Sequence, residues 1–242
     1  MTPMLPSALP EMHPEIAGAN LLLAVVSPLQ SLLDQPSITH EFLNKQAITI
    51  LANDGLERCA QLLQNFTLEL NAGVYWADKG WKNVSHYYEP LTGKGLWRFP
   101  TALDDFSLYF QAAVAAAGQN ALAKSIFFLG AAAHLLQDLC VPHHARAKLF
   151  SGHKEYENWV KTHHYNFAAT GQGIYNNGKA LSQLLITNAL TAADLLDWVL
   201  EENHTRFHTV TTILLPLAER STAGLFEHFC TITDIIPKER FF

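Results

Sequence analysis

Apolar residues recur at steps of three and four through most of the chain, while the strict alternation that marks half-buried strands is scarce. The period predicts helices over 17–33, 39–52, 55–71, 104–117, 119–140, 153–165, 179–202, 205–216 and 218–233, so the expected fold class is all-α. Thr39 is placed to cap the second helix, and Pro142 to stop the fifth shortly after Cys140. One segment breaks the pattern. Residues 72–103, AGVYWADKGWKNVSHYYEPLTGKGLWRFPTAL, carry Gly, Pro and three of the five tryptophans without a helical period, and read as a long ordered loop of the kind that carries function. Trp76, Trp81 and Trp97 either line a ligand cleft or anchor this loop to the core.

No internal repeat or composition shift marks a boundary inside the helical region. The expectation is a single compact multi-helix domain, 38–242, preceded by an N-terminal extension or atypical leader, 1–37. The first 39 residues contain no Lys or Arg, and the apolar run LLLAVV (21–26) soon meets Ser27 and Pro28. That fits neither a recognisable signal peptide nor a transmembrane segment, which needs roughly 20 apolar residues.

At 242 residues and 49% hydrophobic content, the chain has ample material for a buried core. A net charge of −6 with only 16% charged residues argues against binding nucleic acid through bulk electrostatics. Cys59, Cys140 and Cys230 are distant from one another and form no CxxC pair, so they read as core thiols and signal neither a disulfide framework nor a thiolate zinc site.

Histidine changes this picture. Four of the 12 histidines fall in HLLQDLCVPHHARAKLFSGHKEYENW (134–159). His134 and Asp138 are four apart on a predicted helix and leave the same face, and His153 with Glu157 repeats the spacing. Either pair alone is an ordinary helix-surface ion pair. Two pairs joined by Pro142-His143-His144 are better explained by a multi-metal site, because a buried His134 or Asp138 inside IFFLGAAAHLLQDLCV needs a strong partner. Imidazole with carboxylate suits zinc, and the absence of nearby cysteine pairs favours an open, catalytic site. His163, His164, His204, His208 and His228 fit no such pattern and read as ordinary helix residues.

The run His134-x-x-x-Asp138-x-x-x-Pro142-x-His144-Ala145, followed by His153-x-x-x-Glu157, resembles the signature of the bacterial zinc-dependent phospholipases C. The resemblance extends upstream to ITHEFLNKQAITIL (38–51) with His40, to GVYWAD (73–78) and to His86 in SHYYEP (85–90). It implies the helical fold of the phospholipase C and single-strand nuclease superfamily, with the metal site between helices and a long loop. It also implies two or three zinc ions per chain. Asp78, His86, His134 and Asp138 correspond to the ligands of one ion, with Asp138 bridging to a neighbour; His144, selected over His143 by the family's spacing, joins His153 and Glu157 at a second; His40 with Asp138 belongs to a third. In the family an N-terminal tryptophan completes the third ion, and here no tryptophan precedes Trp76. Leu135, Gln137 and Ala147 also depart, standing where the family favours Tyr, Gly and Asn.

The function implied is hydrolysis of a phospholipid phosphodiester at a membrane or micelle surface, giving diacylglycerol and a phosphorylated headgroup, with Asp78 as proton acceptor from the attacking water. The alternatives are a zinc-dependent single-strand nuclease or other phosphodiesterase, and a catalytically inert metal-binding relative. The nine-residue step from His144 to His153, and Glu157 itself, favour the lipase, and nucleic acid is not an expected partner. Lys79 and Asn83 occupy the positions where choline-preferring relatives carry aromatic residues, so phosphatidylcholine preference is not expected, although Tyr87 and Tyr88 offer partial substitutes. The family suggests a secreted or periplasmic protein. Since the chain ends at Phe242 soon after the last predicted helix, membrane contact is expected from loops such as 72–103.

Overall fold

A computed structural model describes residues 37–97, 99–175 and 180–235. The predicted helix 17–33 and all but the last residue of the expected extension or atypical leader, 1–37, lie outside these residues. The described chain forms α1 (Ile38–Asn53), α2 (Glu57–Asn65), α3 (Thr67–Asp78), α4 (Ala102–Gly118), α5 (Leu122–Asp138), α6 (Pro142–Ala145), α7 (His153–His163), α8 (Ser182–Ala193) and α9 (His204–Thr233). Short 3-10 turns cover Gly80–Ser85, His164–Phe167 and Leu196–Trp198. No strand occurs among the described residues; Glu89 and Lys94 make one isolated antiparallel bridge.

The fold is organised around α5. Every residue from Leu129 to Asp138 is buried, as befits a helix that is apolar all round. It runs between α3 and α4 and also touches α9, which packs along α1. The approach of α3 to α5 is made by two glycines: a β-carbon on Gly73 would lie 1.8 Å from the Phe127 carbonyl oxygen, and one on Gly130 would lie 1.9 Å from that of Leu70. Backbone therefore meets backbone, which places the C-terminal end of α3 beside the last turns of α5.

Several expected boundaries differ. Predicted helix 55–71 breaks at Phe66, and its second half runs on to Asp78, so residues 72–78 are helix rather than loop. The stretch AGVYWAD escapes the usual period because the buried face of α3, Leu70, Gly73, Val74 and Ala77, includes a glycine and an alanine while Leu68 and Tyr75 are exposed, and Trp76 packs on Tyr109, Phe127 and Phe128 as an anchor. Helix α1 starts at Ile38, where the Glu41 amide closes the first turn onto the Ser37 carbonyl at 2.9 Å, so Thr39 lies inside the helix and does not cap it. Helix α4 begins earlier than its period suggests because Thr101 and Asp104 form a reciprocal capping box. Predicted helix 179–202 ends at Ala193, and the two helices predicted on either side of residue 217 are one, with Pro216 inside. Pro142 opens α6, and α5 has already ended at Asp138.

Cysteine use also differs from expectation. Cys59 and Cys230 form a disulfide across 171 residues, tying α2 to the last turns of α9, while Cys140 is free and buried. A separation this long leaves no local spacing signal, so only the packing of α9 against the helices near the start of the domain reveals the pair.

Candidate metal centre

Five helices and one turn deliver the side chains singled out above. Helix α1 contributes His40, the C-terminal end of α3 contributes Asp78, and the turn after the 3-10 segment contributes His86. Helix α5 contributes His134 and Asp138; α6 contributes His144, and α7 contributes His153 and Glu157. All eight come together.

Asp138 is the centre. Its carboxylate lies 2.8 Å from His86 Nδ1, 3.2 Å from His134 Nε2, 3.4 Å from His40 Nε2 and 3.5 Å from His144 Nδ1. Asp78 reaches His134 Nε2 at 3.9 Å, and Glu157 sits between His153 Nε2 at 2.9 Å and His144 Nε2 at 3.4 Å. Three groups of donor atoms result, each within 4.8 Å: His40, His134 and Asp138; Asp78, His86 and His134; His144, His153 and Glu157. The resemblance implies Asp138 as the residue shared between two ions and His40 with Asp138 alone at the third; here His134 is the residue common to two groups, and Asp138 falls in the group with His40.

Electrostatics follow from crowding. Burial disfavours charge on Asp138, but the imidazoles of His134 and His144 outweigh it and hold the carboxyl well below the usual range. Burial likewise opposes charge on His144, yet Asp138 and Glu157 push it up to about 9, and Asp138 raises His134 in the same way. Burial lowers His86, and burial together with His134 lowers His40. His134 Nε2 is 3.2 Å from His86 Nδ1, a contact one proton can bridge but two would oppose. Imidazole nitrogens converging on one another and on a shared carboxylate fit divalent cations better than protons, and the mixture of imidazole and carboxylate fits zinc.

Supporting contacts fix the rings. The His144 Nδ1–H donates to the His86 carbonyl at 3.3 Å, while the Tyr88 amide donates to the His144 carbonyl at 3.1 Å. Tyr87 lies flat on His144, and both Tyr87 and Tyr88 are buried, so Tyr87 supports a site residue and does not face a headgroup. His143 stacks on His153 with centroids 4.6 Å apart and bonds the Ser151 carbonyl, outside the three groups. His40 Nδ1 bonds Gln137, a contact that sequence reasoning flagged only as a departure. Asn83 lies in the 3-10 turn, where its carbonyl accepts from the His86 amide at 3.4 Å. The Lys79 ammonium sits 3.9 Å from the centre of the Tyr75 ring.

Residues 39–208 match the family model described as zinc dependent phospholipase C. The chain belongs to the zinc-dependent phospholipase C family. Its fold is similar to that of the alpha toxin from Clostridium absonum, with a TM-score of 0.71 at 17% identity over 84% of this chain and 66% of the toxin. It is also similar to a Clostridium perfringens alpha-toxin from an avian strain, with a TM-score of 0.69 at 18% identity over 85% of this chain and 66% of that one. The chain thus spans just under two thirds of either toxin, and at these identities the likeness is one of fold. No curated protein matches it in sequence. No helix among the described residues is long and apolar enough to cross a membrane.

Proposed function

We propose that this chain hydrolyses phospholipid phosphodiesters, releasing diacylglycerol and a phosphorylated headgroup. The supporting observation is the convergence of three histidine–carboxylate groups on Asp138 in a member of the zinc-dependent phospholipase C family. His40, His86, His134, His144 and His153 with Asp78, Asp138 and Glu157 would hold two or three zinc ions. Zinc, when bound, supplies positive charge for the phosphoryl oxygens and acidifies water toward neutral pH.

The remaining steps fall to the protein. Asp138, buried and facing four imidazoles, keeps its charge and binds neighbouring donor groups into one unit. Asp78 is the more exposed carboxylate, 40% accessible against 5% for Asp138, and can take the proton of the attacking water. Lys79 follows it directly and disfavours a cationic headgroup, with Asn83 nearby in sequence as a second headgroup contact. Phe150, 80% exposed on the loop joining His144 to His153, and Leu91 and Trp97, 74% and 70% exposed after His86, suit contact with a lipid surface. The disulfide suits an oxidising compartment, which supports export.

The test is zinc content per chain together with headgroup release from mixed lipid micelles, run beside a phosphodiester dye and single-stranded DNA. Lipid turnover that Asp138→Asn abolishes supports the reading. DNA cleavage alone would make the chain a nuclease, and bound zinc with none of the three activities would make it an inert relative.

A further inference from the structure

Gln137 precedes the central aspartate and is itself buried, 2% exposed, where an apolar residue would cost nothing in desolvation. Both ends of its amide are engaged. Oε1 accepts from His40 Nδ1 at 2.9 Å, and Nε2 donates to Asn44 Oδ1 at 3.0 Å and to Thr222 Oγ1 at 3.2 Å. Asn44 in turn donates through Nδ2 to Asn71 Oδ1 at 3.0 Å. The network joins α1, α3, α5 and α9, and its orientations are linked. Reversing the Gln137 amide alone would set Oε1 against Asn44 Oδ1, two acceptors with no proton between them, so a reversal must carry Asn44 and Asn71 with it.

That direction has a consequence for His40. If Gln137 Oε1 is the acceptor, the His40 proton sits on Nδ1 and its lone pair on Nε2, the nitrogen 3.4 Å from Asp138. We infer that Gln137 is a positioning residue for His40, locking the tautomer and ring orientation in which Nε2 faces Asp138 and His134 and can serve a cation there. The inference rests on the metal-centre reading above.

The experiment uses histidine labelled with nitrogen-15 in the full chain, first free of metal at pH 8. His40, assigned by its loss in His40→Ala, should carry its proton on Nδ1. Gln137→Met, which keeps the length and removes both polar atoms, should lose that single tautomer. On titration with zinc alone, the variant should bind one ion about 10–100-fold more weakly and leave the others unchanged. A proton on His40 Nε2 in the unaltered chain overturns the inference, as does an unchanged tautomer or zinc affinity in Gln137→Met. The first of these measurements does not involve Gln137→Met, so it decides even if that variant fails to fold. Failure of the unaltered chain to bind zinc would count against the metal reading instead, because the tautomer is read without metal.

Discussion

The ring of Tyr87 lies parallel to the imidazole of His144, with centroids 4.7 Å apart and planes 4° from coincident. His144 is thereby clamped between a buried phenol face and its own Nδ1 bond to the His86 carbonyl, which aims Nε2 at Glu157. Tyr87→Leu removes the flat face and keeps apolar bulk. Zinc at the His144, His153 and Glu157 group should then bind about tenfold more weakly, as read by competition with a chelator.

Phe150→Ser tests the lipid contact separately from the chemistry. Burying a phenyl ring contributes on the order of 1.5–3 kcal/mol, so vesicle binding should weaken by about tenfold or more. Turnover of a soluble phosphodiester dye should not change. Equal losses on both substrates would place Phe150 in the site itself.

Gly130→Ala would force a methyl group onto the Leu70 carbonyl. Separating α3 from α5 should cost about 1–3 kcal/mol of stability and draw Asp78 away from His134, lowering turnover in whatever protein remains folded. Thermal unfolding and zinc titration together check this.

The sequence made much of the site legible because its donors sit on regular elements: His134 with Asp138 and His153 with Glu157 share helix faces by simple periodicity. The sequence puts Asp78 in a loop, not in α3, since the helix's single buried stripe is made partly of Gly73 and Ala77 while apolar Leu68 and Tyr75 lie exposed, which blurs the period. Tyr87 and Gln137 carry no motif, and their parts depend on neighbours 57 and 97 positions away, His144 and His40. The uninterrupted α9 hid for another reason. Proline usually ends a helix, but the buried Leu214, Leu215 and Ala218 hold both flanks of Pro216 in one packed rod.

Glu219 gives a pH dependence of its own. Burial pushes its carboxyl up to about 7, against which the Ala169 amide bond works only in part. The folded chain therefore takes up this proton more readily than the unfolded one, so the group favours folding as pH falls from about 7 toward 4.5 and opposes it above 7. Glu219→Gln should raise the melting temperature at pH 8, on the order of 2–4 °C, and do little at pH 5.

Reduction of the Cys59–Cys230 bond, or its replacement by alanines, should lower stability by about 2–5 kcal/mol, because the link closes a very long loop in the unfolded chain. Denaturant unfolding with and without reductant measures the loss.

The crossing of Gly73 and Gly130 bears on how this architecture endures substitution. Where main-chain atoms set a spacing, surrounding side chains can be exchanged for others of similar volume without altering the gap between the two helices. A site geometry anchored in this way is indifferent to most drift in the interior, and is vulnerable at the few points where a hydrogen atom cannot become a methyl group.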